Sequence, residues 1–367
     1  MVLYKTIAPR SSLLLQIGDH TIVNGLLPGP GAARIALVRK VILQVSHNPG
    51  RHCASTALSD IACFHHAALS EAMCFGIGAG LGIWYLENLK EAPGRMVHVR
   101  SVDIEDQFFT RMGSPFRWRR FKDPDLAAGA LRQRLDEGFP ILVQTDIYHL
   151  GYYGSKTHFP GHDITVWGYD DESGVFFVTD TERPSLIPVP YRELITAMYA
   201  RGGFFPLRGN QFSPSSISCP EDLGAVIRDA IVTNSRLLLS EQSEFQGIAA
   251  LRRWSVELER VWPRLEDWRW AARFAYQVIE RRGTGGGGFR LMYADFLEEA
   301  QDRCPAVAKL GLPGVMRNAG YAWTRLALAL KEASEKTSPD FQAVIEALDD
   351  VARIEEEYHR TAVALAA

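Results

Sequence analysis

The sequence predicts an α+β domain followed by an all-helical domain. Three observations predict it. Helical patterns come first and strand patterns cluster between 140 and 180. A proline- and serine-rich stretch, "GNQFSPSSISCPED" (209 to 222), then interrupts the pattern like a boundary. Beyond it, apolar residues recur at helical spacing to the last residues. The length agrees, since 367 residues exceed what one ordinary core supports. The expected layout is an extension of unassigned structure over 1–45, an α+β domain over 46–210 and a helical domain over 211–367.

The elements follow in order. "RIALVRKVILQV" fits either a strand or a short helix. A helix is expected from Cys53 to about residue 66. A second, "LSEAMCFG" (69 to 76), has Ser70 as its N-cap and ends in the glycine run "GIGAGLG" (76 to 82). "IWYLE" reads as a strand. "DPDLAAGALRQRLDEG" (123 to 138) carries Asp123 as cap, Pro124 at the first helical position and Gly138 as its stop. Three strands come next: "PILVQTD" (140 to 146), "HDITVWGYD" (162 to 170) and "GVFFVTD" (174 to 180). A turn over 170 to 174 joins the last two. In the C-terminal part, Trp254, Leu258 and Val261 share a stripe, and "FQAVIEALDDVARIEEEYHRTAVALA" is a long amphipathic helix. The tryptophans there read as core or interface fillers.

Composition excludes several function classes. The chain is 47% hydrophobic and 23% charged, with a net charge of −3, so no strong field draws nucleic acid or a membrane surface. No apolar run approaches a membrane span, and the first twenty residues lack a secretory cleavage pattern. The cysteines are Cys53, Cys63, Cys74, Cys219 and Cys304, with no C-x-x-C pair. That odd, sparse set argues against a disulfide framework or a zinc site and suits a reducing cytoplasm. Two glycine runs invite a nucleotide reading, and both fail it. "GIGAGLG" has a helix before it and a strand after it, the reverse of a dinucleotide loop. "GTGGGGFR" (283 to 290) lacks a Gly-Lys-Ser/Thr ending. The glycines instead predict close backbone approach or positive φ.

The chemistry starts at "GRHCASTALSD" (50 to 60). A cysteine opening a helix is either a small core residue or a nucleophile whose thiolate the helix N-terminus favours. A nucleophile needs a base, and the base an orienting acceptor. His162 opens an alternating strand just after "FPG", and Asp180 closes the next strand. If the hairpin pairs Tyr169 with Val175, Asp180 faces Ile164 and His162 faces Glu182. His162 and Asp180 then lie diagonally on one face; a one-residue slip would separate them. His158, Asp163 and Asp170 are rivals for these roles, and strand or turn capping is the plainer alternative. A cysteine-led helix, a histidine on a strand and an aspartate one strand later is the chain order of papain-like cysteine enzymes.

"HCASTAL", "LSEAMCFGIGAGLGIWYL", "TDIYHLGYY", "GHDITVWGYDD" and "TD" at 179 to 180 together resemble the N-terminal domain of the butirosin-biosynthesis acyltransferase family. "GTGGGGFRLMYADFLEEA" resembles the helical domain of unknown function that accompanies it. The resemblance spans roughly 45 to 365. It implies a papain-like acyltransferase domain with Cys53 as nucleophile, His162 as base and Asp180 as orienter. It also implies an acyl or aminoacyl donor held as a phosphopantetheine thioester on an acyl carrier protein, and a small-molecule amine acceptor. No bound cofactor or metal is expected, and self-association is left open. The backbone N–H of Cys53 would hold the oxyanion, with His52 or Asn48 as second donor. Glu71 would orient Arg51 or His52, or serve its own helix. "DIYHLGYYGSKTHF" (146 to 159) fits an acceptor-site loop. The basic "RMGSPFRWRRFK" (111 to 122) fits either a carrier contact or a solvated face. The rivals are a peptidase or amide hydrolase using the same triad, and a non-catalytic binding protein.

Overall fold

The computed structural model describes residues 14–17, 20–23, 39–203 and 205–366. The expected N-terminal extension lies largely outside them. The strands are β1 (Leu14–Ile17), β2 (His20–Val23), β3 (Lys40–Ile42), β4 (Leu81–Glu87), β5 (Arg95–Arg100), β6 (Ile141–Asp146), β7 (Pro160–Asp170), β8 (Val175–Asp180), β9 (Arg183–Pro190) and β10 (Gln211–Phe212). The helices of the first half are α1 (Cys53–Phe64), α2 (Glu71–Ile77), α3 (Ile104–Arg111), α4 (Pro124–Asp136) and α5 (Tyr191–Met198). The second half holds α6 (Leu223–Leu239), α7 (Gly247–Arg260), α8 (Trp268–Glu280), α9 (Arg290–Ala300), α10 (Pro305–Lys309), α11 (Leu312–Glu335) and α12 (Gln342–Ala362). The α+β class holds: an antiparallel sheet in the first half, helices in the second.

The main sheet runs β10-β6-β7-β8-β9, and β3 also pairs with β7. Every pairing in it is antiparallel. Strand β9, "RPSLIPVP", was hidden from pattern reading by its prolines. It sits at the sheet edge, where a missing N–H costs no ladder bond. The 209–222 stretch is tied to the sheet through β10, which pairs with Val143 and Leu142. The caps fall as expected: Ser70 accepts from Met73 N–H, Asp123 from Asp125 N–H, and Gly138 has φ +86°.

Two cores form. The smaller lies between the sheet and α4 and α5, around Leu131, Val166, Phe176 and Leu194. The larger joins α1, α2, α3 and the β4–β5 hairpin to the C-terminal helices without a break near residue 210. Tryptophans 254, 262, 268 and 323 are buried there, whereas Trp270 is exposed. Buried Arg290 ties this core together. It donates to the carbonyls of Val99 (2.9 Å) and Gly288 (2.7 Å) and to Glu355 (2.7 Å). Among the described residues, no helix is long and apolar enough to cross a membrane.

Candidate functional site

Cys53 is the first residue of α1 and is partly exposed. The segment before it is fastened from three sides. His52 caps the helix, its Nδ1 accepting from Ser55 N–H at 3.3 Å. That bond leaves the ring hydrogen on Nε2, which is buried without a partner. Glu71, from the start of α2, accepts the N–H groups of Arg51 (2.9 Å) and His52 (2.7 Å) and the hydroxyl of Thr56 (3.0 Å). Its role is therefore to hold the loop that leads into α1. Gly50 donates to the Thr181 carbonyl at 2.8 Å, which brings the start of α1 to the end of β8. A Cβ at Gly50 would stand 2.1 Å from Thr56 Oγ1, so only glycine fits this approach.

The hairpin register differs from expectation at the turn and agrees deeper in. Tyr169 pairs with Phe176 and Asp170 with Val175, one residue off the expected pairing. A bulge between Val166 and Gly168 absorbs the extra residue. Past it, Val166 faces Val178 and Thr165 faces Thr179. Continuing that ladder sets Ile164 opposite Asp180, as the sequence suggested. His162 and Asp180 thus share a face, with Nε2 of the histidine 2.9 Å from Asp180 Oδ1. Both side chains are buried.

Cys53 lies beside His162, close enough for each to shift the other's titration. Burial opposes charge on both partners, and the pair overcomes it. His162 is pushed up to about 10 by the Asp180 carboxylate and by Cys53. The Cys53 thiol is pushed below its ordinary range by His162, the Arg100 charge and the N–H of Asp163. Both shifts run in the direction of a thiolate–imidazolium pair. Burial would raise the Asp180 carboxyl, but His162 outweighs it and holds the group below its usual range. Tyr152 Oη (2.7 Å) and Thr181 Oγ1 (2.9 Å) also donate to Asp180, and the Tyr153 ring stands edge-on to His162 at 5.2 Å.

The rivals are engaged elsewhere. His158 Nδ1 lies 2.7 Å from Asp146, and Asp170 pairs with Lys40 at 3.0 Å. Burial and the neighbouring Glu105 push the Asp163 carboxyl well above its ordinary range. Burial and Arg100 push His98 down to about 3, and burial foremost keeps His52 neutral too. Asn48 is exposed and donates its backbone N–H toward Asp60. Among the described residues, Asp146, His149 and His158 form the set whose ligand atoms are close enough to hold a metal ion. Asp146 there already accepts from Tyr148 and Phe159 N–H groups and holds the 146–159 loop closed.

The glycine loop of the second half reaches the segment before Cys53. Gly283, Gly285, Gly286, Gly287 and Gly288 all have positive φ. A Cβ at Gly285 would lie 2.7 Å from Arg51 Cδ, and one at Gly287 only 2.7 Å from the Gly320 carbonyl. Phe289 then meets the His52 ring at 5.0 Å and stacks on Phe75 at 5.2 Å. Close approach and positive φ at these glycines agree with the sequence reading; their long-range partners, and Tyr152 as a donor to Asp180, were not foreseen. The available signal was glycine density at 283–288 and the aromatic pair 152–153.

Residues 52–181 match the family model described as butirosin biosynthesis protein H, N-terminal. Residues 192–362 match the model of a domain of unknown function, DUF4872. No curated protein matches the chain.

Proposed function

Since this chain belongs to the butirosin biosynthesis protein H family, with a C-terminal domain of unknown function, we propose that it is a cysteine acyltransferase. In this reading it carries an acyl or aminoacyl group from a carrier-protein thioester to an amine. The family ties it to biosynthesis of the acyltransferase kind; the donor, the acceptor and the residue roles are the proposal. The single observation that supports it most is the buried Cys53–His162–Asp180 chain at a partly exposed helix start.

The Cys53 thiolate attacks the thioester carbonyl. The oxyanion forms beside the backbone N–H of Cys53 at the N-terminus of α1. As the tetrahedral adduct collapses, the carbon–sulfur bond to pantetheine breaks and His162 gives its proton to the leaving thiol. The acceptor amine then attacks the Cys53 thioester, His162 takes the amine proton, and Cys53 leaves again as thiolate. Asp180 holds His162 in orientation and balances its charge throughout. Exchange between thioesters is nearly isoergic and amide formation runs downhill, so no further energy source enters.

A hydrolase would use the same three residues, with water as acceptor. Trapping the acyl group on Cys53 therefore cannot separate the two; its fate can. An acyl-pantetheine donor offered without amine is expected to leave a mass increment on Cys53 that outlasts many turnovers. An amine should discharge it as an amide. His162→Ala should slow both steps by at least about a hundredfold, the scale of lost general-base help. Rapid loss of the increment to free acid, whatever amine is present, would replace the transferase with a hydrolase. No increment in wild type would leave the binding-protein reading.

A further inference from the structure

The basic segment after α3 is built into the same sheet as His162. Arg119 forms an antiparallel bridge with Gln211, and Phe121 N–H donates to the Arg208 carbonyl at 3.0 Å. Gln211 pairs with Val143 of β6, and Asn210 accepts from Gln144 N–H. β6 in turn pairs with β7, placing Thr145 opposite His162. The segment is thus three strand positions from the strand of the candidate base. At ~4.8 Å per position this is roughly 14 Å across the sheet.

Its charges are unbalanced. Arg117, Arg119, Arg120, Lys122 and Arg208 are exposed, and none has an ion-pair partner among the described residues. Glu137, whose carboxylate feels the Arg119 charge, is held by Arg134 at 2.6 Å. Asp123 is occupied in capping α4. Residues 117–121 line an open cavity of about 670 Å³, with Trp118 and Phe121 between the arginines. The Arg119 guanidinium lies over the Phe121 ring at 5.3 Å, which fixes one wall. On a chain of net charge −3, such a cluster with apolar walls is a recess for a phosphate and the acidic surface around it.

We propose that this recess takes the phosphate of the donor's phosphopantetheine, with the acidic carrier protein resting on the surrounding cations. The proposal rests on the thioester-donor reading above. It adds where the arm enters: the arginines would fix the phosphate end while the thioester end meets Cys53.

The test compares S-acetylphosphopantetheine with S-acetylpantetheine, which lacks only the phosphate. Acetylation of Cys53 is timed by mass spectrometry in wild type and in an Arg119→Gln, Arg120→Gln variant. Binding of both compounds to Cys53→Ala, with and without those arginine changes, is measured by calorimetry. A second variant, Arg117→Gln with Lys122→Gln, guards against misfolding in the first. The phosphate is expected to favour labelling and binding at least about tenfold in wild type, the worth of one charge-assisted contact. That preference should disappear in the arginine variant and shrink at high salt. Equal behaviour of the two compounds in wild type, or a preference that survives both variants, overturns the site. So does inorganic phosphate competing as well as phosphopantetheine, which would leave a general anion site. If neither compound labels Cys53 but calorimetry keeps the preference, the donor chemistry fails and the recess stands. If both label Cys53 alike, the chemistry stands and the recess fails.

Discussion

Among the described residues, two of the buried histidine–carboxylate pairs behave differently. His162 meets Asp180 at 2.9 Å in the first half; His359 meets Glu355 at 3.1 Å in the second. Around Glu355 every valence is spent inward. Arg290 donates to it at 2.7 Å, Trp323 Nε1 at 2.7 Å, and the other nitrogen of His359 faces Ser235 Oγ at 3.1 Å. Burial would raise Glu355, but Arg290 overrides it and keeps the carboxylate ionised. Nothing there can reach a substrate, and the network serves to join helices to the β4–β5 hairpin. At His162 the further neighbour is the Cys53 thiol, at a partly exposed helix start. The pair itself is therefore not the chemical signature. What the histidine meets besides its carboxylate decides between structure and reactivity.

The strongest way to break this contrast is to cut each network at its charge. Arg290→Met leaves Glu355 buried without its main cation, and such cuts cost about 3–5 kcal/mol. Urea unfolding should register a loss of that size. Asp180→Asn should leave the midpoint within about 1 kcal/mol of wild type, because Tyr152 and Thr181 still supply partners, while Cys53 reactivity falls. Equal destabilisation by the two changes would make His162–Asp180 a structural pair like the other.

A smaller effect sharpens the electrostatic half. The lowered Cys53 value means its thiolate persists below the ordinary thiol range and is lost only as pH falls through that lowered value. The imidazolium is lost as pH rises through about 10. Near about pH 6, where an unperturbed thiol is almost fully protonated, iodoacetamide should label Cys53 well ahead of exposed Cys219. Cys74 should stay unlabelled, since burial pushes its thiol well up. In His162→Ala the Cys53 advantage should vanish. Peptide mapping after a short exposure reads all three, and preferential labelling of Cys219 in wild type would remove the ion pair. The smallest effect belongs to Tyr152→Phe, which deletes one donor to Asp180. It should slow Cys53 acylation several-fold, in line with about 1 kcal/mol for a single hydrogen bond, and move the unfolding midpoint little.

Much of this was legible because it is local. The N-cap and proline of α4, the helix starting at Cys53 and the alternation around His162 are written in adjacent residues. Asp180 was reachable through hairpin arithmetic, although the arithmetic missed a bulge. The bulge falls at Trp167, whose Nε1 donates to Thr179 Oγ1 at 2.8 Å, and no residue spacing encodes it. Glu71 reaching back to Arg51, Gly50 meeting Thr181 and Gly285 lying on Arg51 join segments that are distant in sequence. Such contacts leave compositional traces, a glycine here or an acidic residue there, without naming the partner. Proline-broken β9 was missed for the opposite reason: its local signal spoke against a strand that the edge position permits.

The buttress formed by the glycine loop carries a consequence for how the molecule is made. A ribosome delivers Cys53, His162 and Asp180 well before it delivers Gly283–Phe289, and Glu355, which anchors Arg290 beside that loop, comes later still. Until then Arg51 and His52 lack the Gly285 and Phe289 surfaces that rest on them. The thiol thus reaches its finished setting only once the following helices have emerged and docked. A nascent chain would carry all three residues without these contacts, so the surroundings of Cys53 are completed late in synthesis.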